Sequence, residues 1–374
     1  MKAENFNIQG NKPRILIAPL DWGLGHATRC IPVISALIKQ HCTIFVAAEG
    51  QIKALLQKEF PHLHFIELRG YRVKYSRYSF WMPVKLLMQL PKILHRIYAE
   101  NRWLIRAVKE HNIDAVISDN RMGLHHKKIP CVYITHQLNI KTGNGFTEKL
   151  TQKIHYHFIN KFKACWVPDA EGVVNLAGEL SHPAILPKVP LKYLGSLSRF
   201  EKAAVENQYD LCVLLSGPEP QRTIFEKIIL ADVDKMQEKI CLVRGLPLET
   251  KIPELNNSSI EIKNHLPADE LSIILQQSKI IISRCGYSTV MDLVKLQKKA
   301  ILVPTPGQTE QEYLGRYLQE QKIFYSADQQ NFSIAEAIKN TTEFESITFP
   351  INNDDYKTVI ENFVATLQTN SEDI

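Results

Sequence analysis

The 374-residue chain is 45% apolar and 22% charged, which excludes a disordered chain and leaves enough apolar material for two domains. Its seven cysteines, at positions 30, 42, 131, 165, 212, 241 and 285, form no CxxC pair and no cysteine–histidine cluster at metal-ligand spacing, so a zinc module is excluded and a reducing cytosol fits. The net charge of +6 hides a division, because residues 1–200 hold 28 Lys and Arg against 13 Asp and Glu, whereas residues 201–374 hold 17 against 26.

The N-terminal stretch MKAENFNIQGNKP is polar, and no run approaches the roughly 20 apolar residues of a membrane-spanning helix. A cytoplasmic protein is the expectation. Short β-branched runs then alternate with amphipathic sequence: RILIAPL, CTIFVAA, LHFIEL, DAVISD and CVYIT, followed by LCVLLSG, KICLVRG, SIEIKNH, KIIISRC and KAILVPT. Strand and helix in alternation predict an α/β protein with parallel sheets covered on both faces, here two doubly wound Rossmann-like domains of five strands each. The boundary is expected near LKYLGSLSRFEKAAVENQ, where strand signals stop, giving domains at 1–200 and 201–374.

In such sheets ligands bind outside the carboxyl ends of strands, where glycine turns let the chain approach and the next helix offers free amides. DWGLGHATR, after the first run, puts Gly23, Gly25 and His26 at that point. Pro32 is best tolerated near a helix start, which predicts a helix from about Thr28 or Arg29 and leaves His26 in the loop above the sheet. His26 then either caps that helix or faces a ligand. A dinucleotide fingerprint is broken by Thr28, although Glu49 lies near the place of its ribose acid. In the second half, a strand ending at Ser283, a turn at Gly286 and a helix opened by Ser288 and Thr289 suit a diphosphate. Asp292 follows as a carboxylate for ribose hydroxyls, or as an acid that favours the helix dipole. PTPGQTEQ then presents Gln308, Glu310 and Gln311, side chains suited to sugar hydroxyls.

GLGH after the first strand, with SRCGYSTVMD and PTPGQTEQEY, resembles the inverting, two-Rossmann-domain (GT-B) glycosyltransferases of family 28, related to the peptidoglycan enzyme that adds N-acetylglucosamine to lipid I. The resemblance implies that Gly23, Gly25 and His26 face the reacting centre, that Ser283, Gly286, Ser288 and Thr289 line the diphosphate loop, and that Asp292 holds ribose. It also implies a backbone contact from Leu266 to uracil, an acceptor-side role for His136 and Asn139 in THQLN, and Arg199 near donor phosphate. Three features depart from the family pattern. SGPEPQR keeps Ser216 and Gly217 but has prolines where amide donors belong, Gly315 replaces a sugar-reading asparagine, and Glu312 replaces a glutamine. The sugar therefore stays open between a hexose and an N-acetylhexosamine.

Transfer needs a base for the acceptor hydroxyl and stabilisation of the leaving diphosphate. His26 suits the first role, with Asp119 in SDNR as a second base, an orienting partner, or an ordinary strand-end cap. No Asp-x-Asp pair is found where metal-dependent transferases carry one, and no cofactor or metal is expected. Residues 69–109 carry Arg69, Arg72, Lys74, Arg77, Lys85, Lys92, Arg96, Arg102, Arg106 and Lys109 against Glu100, interleaved with Tyr71, Tyr75, Tyr78, Phe80, Trp81, Tyr98 and Trp103. That composition suits an anionic membrane surface, and hence a lipid or lipid-linked acceptor and a peripheral position on the inner face of the membrane. A solvated basic face is the alternative, and nucleic acid is not expected as a partner. Two other activities share the architecture, a nucleotide-sugar epimerase and a non-catalytic nucleotide-sugar-binding subunit.

Overall fold

A computed structural model describes residues 12–72, 82–350 and 355–369. The first sheet has seven parallel strands: β1 (Arg14–Pro19), β2 (Thr43–Ala48), β3 (His64–Glu67), β4 (Ala115–Asp119), β5 (Cys131–Ile134), β6 (Ala164–Val167) and β7 (Leu191–Tyr193), in the order β3-β2-β1-β4-β5-β6-β7. The second has six: β8 (Tyr209–Leu214), β9 (Ile240–Val243), β10 (Ile260–Lys263), β11 (Ser278–Ser283), β12 (Lys299–Leu302) and β13 (Tyr325–Ser326), in the order β10-β9-β8-β11-β12-β13. In each, the order reverses beside the first strand, between β1 and β4 and between β8 and β11, which makes two topological switch points.

All ten expected strands are present. The extra ones are β6, β7 and β13; β7 and β13 are three and two residues long, too short for periodicity to register, whereas β6, at four, is as long as several strands that were expected. One of them, β7, falls inside the stretch expected to be free of strand. Helix α1 (Leu24–Lys39) also departs from expectation: it starts four residues early, so His26 sits in its first turn and Pro32 lies inside it. Gly23 makes the early start possible by taking φ +149°, a conformation that L side chains rarely adopt. Gly286 precedes α7 (Tyr287–Lys295) with φ −80°, so no left-handed turn is made there.

The remaining helices are α2 (Gly50–Glu59), α3 (Met82–His111), α4 (Gly145–Ile159), α5 (Gln221–Val233), α6 (Ala268–Gln276), α8 (Thr309–Glu320), α9 (Ile334–Glu343) and α10 (Asp355–Thr369). One apolar cluster runs from α1 through Leu176, Leu197 and Phe200 to α7, so the two sheets share a core. Helix α10 returns to the first sheet, where Phe363 meets Trp166 edge-on at 5.3 Å and Glu361 accepts from Gln40 Nε2. The expected second domain at 201–374 thus ends on the first. No helix among the described residues is long and apolar enough to cross a membrane.

Candidate active site in the cleft between the sheets

Pro19 of β1 and Asp119 of β4 are register partners, so Asp119 ends its strand at the first switch point, beneath the start of α1. Three residues into that helix, His26 Nδ1 lies 2.9 Å from Asp119 Oδ2. One turn further, Arg29 donates from Nε to Asp119 Oδ1 at 2.9 Å, and its Nη2 reaches both Asp119 Oδ1 and His26 Nδ1. The carboxylate is wholly buried and Arg29 is only 4% exposed. Burial raises the Asp119 carboxyl, but Arg29 and His26 outweigh it and hold the group below the ordinary aspartate range. For His26, burial and Arg29 both disfavour the imidazolium, and Asp119 offsets them only in part, so the ring's pKa falls below its usual value and it is neutral at pH 7.

The network continues across the cleft. Arg29 Nη1 lies 3.2 Å from His136 Nδ1, and His136 Nε2 lies 2.8 Å from Glu310 Oε1 on α8. A guanidinium only donates, so Nδ1 of His136 accepts and its Nε2 carries the proton given to Glu310. Burial raises the Glu310 carboxyl, yet His136, His26 and Arg29 together hold it below its usual pKa. His136 also stacks on Tyr287, the first residue of α7, with centroids 4.1 Å apart, and the Tyr287 hydroxyl donates to the Pro168 carbonyl.

At the second switch point, Leu214 and Ser283 are register partners, and the loops that follow carry Ser216–Gly217 and Arg284–Gly286. The α7 terminus has no side-chain cap and no acid in its first turn, so its amides stay free for an anion. Asp292, in the second turn, accepts from Ser198 Oγ at 2.6 Å and lies beside Arg199. Burial pushes this carboxyl up to about 6, against the pull of Arg199 and Ser198. Arg284, buried between loops, donates to the carbonyls of Val303, Pro304 and Gln221 and to Gln329 Oε1, binding three strand-end segments into one rim.

These elements enclose a cleft of about 1430 Å³. Gly23, Gly25, His26, His136, Arg199, Ser216, Gly217, Gly286, Ser288, Thr289, Asp292, Gln308, Glu310 and Gln311 all line it. Gly25 faces Ser288 so closely that a methyl group there would collide with Ser288 Oγ. Asp119 and Ser283 lie beneath the lining, and Ser283 Oγ is turned to the Arg284 carbonyl. Two expected residues are not brought in. Leu266 is buried in the apolar core while its neighbour His265 lines the cleft, and Asn139 gives its amide to Leu180 while Gln137 and Ile140 do the lining. Gln311 holds the Pro304–Gln308 loop, accepting from the Thr305 amide and donating to Gln308 Oε1. Gly315 packs against Pro304 and Ser326, where a larger side chain would not fit, and Glu312 accepts from the Gly307 amide. Glu49 is paired with Arg72 at 2.6 Å.

Sequence reasoning missed Arg29, Tyr287 and Arg284. Arg29 had a usable signal, since three residues after His26 it must share that residue's helix face. Of the basic aromatic segment, residues 73–81 lie outside the described residues, as do the side chains of Lys85, Leu86, Leu87 and Met88. The described part of α3 exposes Lys92, Tyr98, Arg102, Ile105, Arg106 and Lys109. Among the described residues no group of three His, Cys, Asp or Glu is arranged to hold a metal ion.

Two doubly wound domains with their switch points facing across a cleft define the GT-B architecture, with a buried His–Asp pair on one wall here and an uncapped helix end on the other. Residues 217–354 match the glycosyltransferase family 28 C-terminal domain. Solved structures similar to the chain include MurG of Acinetobacter baumannii, at 14% identity and TM-score 0.53 over 96% of this chain and 99% of that one. SnogD of Streptomyces nogalater is similar at 12% identity and TM-score 0.58, over 95% and 100%. The spinosyn forosaminyltransferase SpnP is similar at 10% identity and TM-score 0.60, over 96% and 95%. No curated protein sequence matches closely enough to count as a relative. The protein is a glycosyltransferase of GT-B fold with a family 28 C-terminal domain.

Proposed function

We propose that the enzyme moves a hexose or N-acetylhexosamine from a UDP-sugar to the hydroxyl of a lipid or lipid-linked acceptor, in one displacement that inverts the anomeric centre and without a metal. The observation that carries this reading is the buried Asp119 beneath His26, directly opposite the free amides of α7. Of the two groups beside His26 Nδ1, Asp119 can accept and Arg29 can only donate. In the tautomer that serves transfer, Nδ1–H is given to Asp119, Arg29 bonds the carboxylate alone, and Nε2 keeps the lone pair. The acceptor hydroxyl gives its proton to that nitrogen as its oxygen bonds to the anomeric carbon. The bond from that carbon to the diphosphate oxygen breaks at the same time, and the charge left on the diphosphate falls on the α7 amides and Arg199. Asp292 takes the ribose, while Gln308 and Glu310 face the sugar once His136 releases Glu310. Acceptor attack comes from the first domain, whose exposed basic residues on α3 suit an anionic membrane surface on the inner side of the membrane.

Thermal stabilisation across a panel of nucleotide sugars tests the donor, and a UDP-sugar should give the largest rise. Asp292→Ala should weaken UDP binding by about 1.5–3 kcal/mol, the worth of hydrogen bonds to a charged group. His26→Ala should cut turnover by roughly 10²–10⁴ while donor affinity holds. Release of free sugar or an epimer from donor alone, with no acceptor product, would overturn the transfer reading.

A further inference from the structure

We propose that the His136–Glu310 pair is an autoinhibitory contact, a bar across the empty cleft that a donor sugar has to open and that re-forms once the sugar has left. The proposal rests on the glycosyl-transfer reading and adds a regulation of the same site. His136 lies two residues past β5 in the first domain and Glu310 in the first turn of α8 in the second, with Nε2 2.8 Å from Oε1. The bar stands where a sugar must pass. At its first-domain end Arg29 lies between His136 and the base, with Nη1 3.2 Å from His136 Nδ1 and Nη2 2.8 Å from His26 Nδ1. Beneath it, the imidazole stacks on Tyr287, the residue before Ser288 and Thr289 in the helix that opens toward the diphosphate. A sugar joined to a diphosphate on α7 and attacked from His26 therefore comes between those two groups, beside the pair.

The two halves of the bar are unequally held. The His136 side chain is 5% exposed and is fixed on two further sides, by Arg29 and by Tyr287. The Glu310 side chain is 35% exposed and hydrogen-bonds to His136 alone among the described residues. The carboxylate is thus the part that swings and the imidazole the part that stays. Closure of the two domains does not depend on the bar, because α8 is tied to the first domain along its length. Thr309 Oγ1 donates to the Lys141 carbonyl at 2.6 Å, the Glu179 amide donates to the Tyr313 hydroxyl at 2.7 Å, and the Tyr317 hydroxyl donates to Asn175 Oδ1 at 2.9 Å. These ties keep the sheets in place while Glu310 turns. In the empty enzyme the pair satisfies a carboxylate that would otherwise face the cleft without a partner. A sugar hydroxyl that donates to Glu310 replaces the imidazole N–H, so part of the sugar's binding goes into opening the bar. UDP alone needs the α7 amides and Asp292, and leaves the bar shut.

Calorimetry on the full chain with UDP, UDP-glucose and UDP-N-acetylglucosamine reads the bar. His136→Phe keeps a ring on Tyr287 and removes the N–H given to Glu310, and His136→Leu removes the ring as well. Each variant should bind whichever sugar donor the wild type accepts about tenfold more tightly, the lower end for a hydrogen bond to a charged group, while UDP affinity stays within about twofold. Unchanged UDP affinity also shows that the variants are folded. Sugar-donor affinity unmoved or lowered in both variants would overturn the proposal and leave the donor reading standing. A tightening of UDP as large as that of the sugar donor would overturn it too, because UDP has no hydroxyl at Glu310. If neither UDP nor a sugar donor bound the wild type or the variants, the donor reading itself would fail and the bar with it.

Discussion

Replacing Arg29 with methionine removes a cation from a closed box while keeping most of its volume. The guanidinium touches Asp119 Oδ1 at 2.9 Å, His26 Nδ1 at 2.8 Å and His136 Nδ1 at 3.2 Å, with Glu310 beyond on α8. Without it, Asp119 is left with His26 and the Cys30 thiol, 4.0 Å away. A buried charge stripped of its partner costs about 3–5 kcal/mol, unless the site takes up a proton. In the wild type His26 is held below its usual pKa of 6.5, first by burial and then by Arg29, so the unfolded chain binds more protons just below that value. Wild-type stability therefore rises with pH through this window and is complete above it. In the variant burial still disfavours the imidazolium, but the buried Asp119 has lost its cation, and the folded state gains a proton, on the ring or on the carboxyl. Its stability should be greatest at low pH and fall as pH rises, by about 1.4 kcal/mol for each unit of raised pKa. Urea unfolding between about pH 5 and pH 9 should thus give slopes of opposite sign for the two proteins. The acid limb of kcat/KM should move to higher pH, because transfer needs His26 without its proton. Parallel stability curves together with an unmoved acid limb would refute the electrostatic coupling.

Gly25→Ala should drive a methyl group into Ser288 Oγ and cost about 1–3 kcal/mol in urea unfolding, with recovery in the Gly25→Ala, Ser288→Ala pair. A pair no more stable than the single variant would mean that the two loops do not face each other. Vesicle sedimentation checks the basic face. The protein should pellet with anionic vesicles and be released by salt, and replacing Arg102, Arg106 and Lys109 with glutamine should cost about 3 kcal/mol of that binding at roughly 1 kcal/mol per charge. Equal pelleting with neutral vesicles would count against an electrostatic surface.

Ten of the strands, their parallel arrangement and both glycine-bearing strand ends were legible because each is written in residues next to one another. Alternation of buried runs with amphipathic stretches needs only local geometry, and a glycine turn followed by uncapped helix positions marks a strand-end site without knowledge of the fold. His26 and the Ser288–Thr289 helix were found in that way. The partners of those groups were not legible. Asp119 comes 93 residues after His26, and from sequence it was as plausibly a strand cap as an orienting carboxylate. His136 and Glu310 are 174 residues apart and meet only because the two sheets close on one shared apolar core. The helix start at Leu24 was misread from Pro32, since a proline interrupts one hydrogen bond but tertiary packing of α1 against α2, α7 and α10 outweighs that loss. The return of α10 to the first sheet left no local mark for the same reason. Periodicity records which face of an element is buried, whereas which carboxylate stands beside which imidazole, and with what pKa, is decided by chain closure over distances that no sequence window spans.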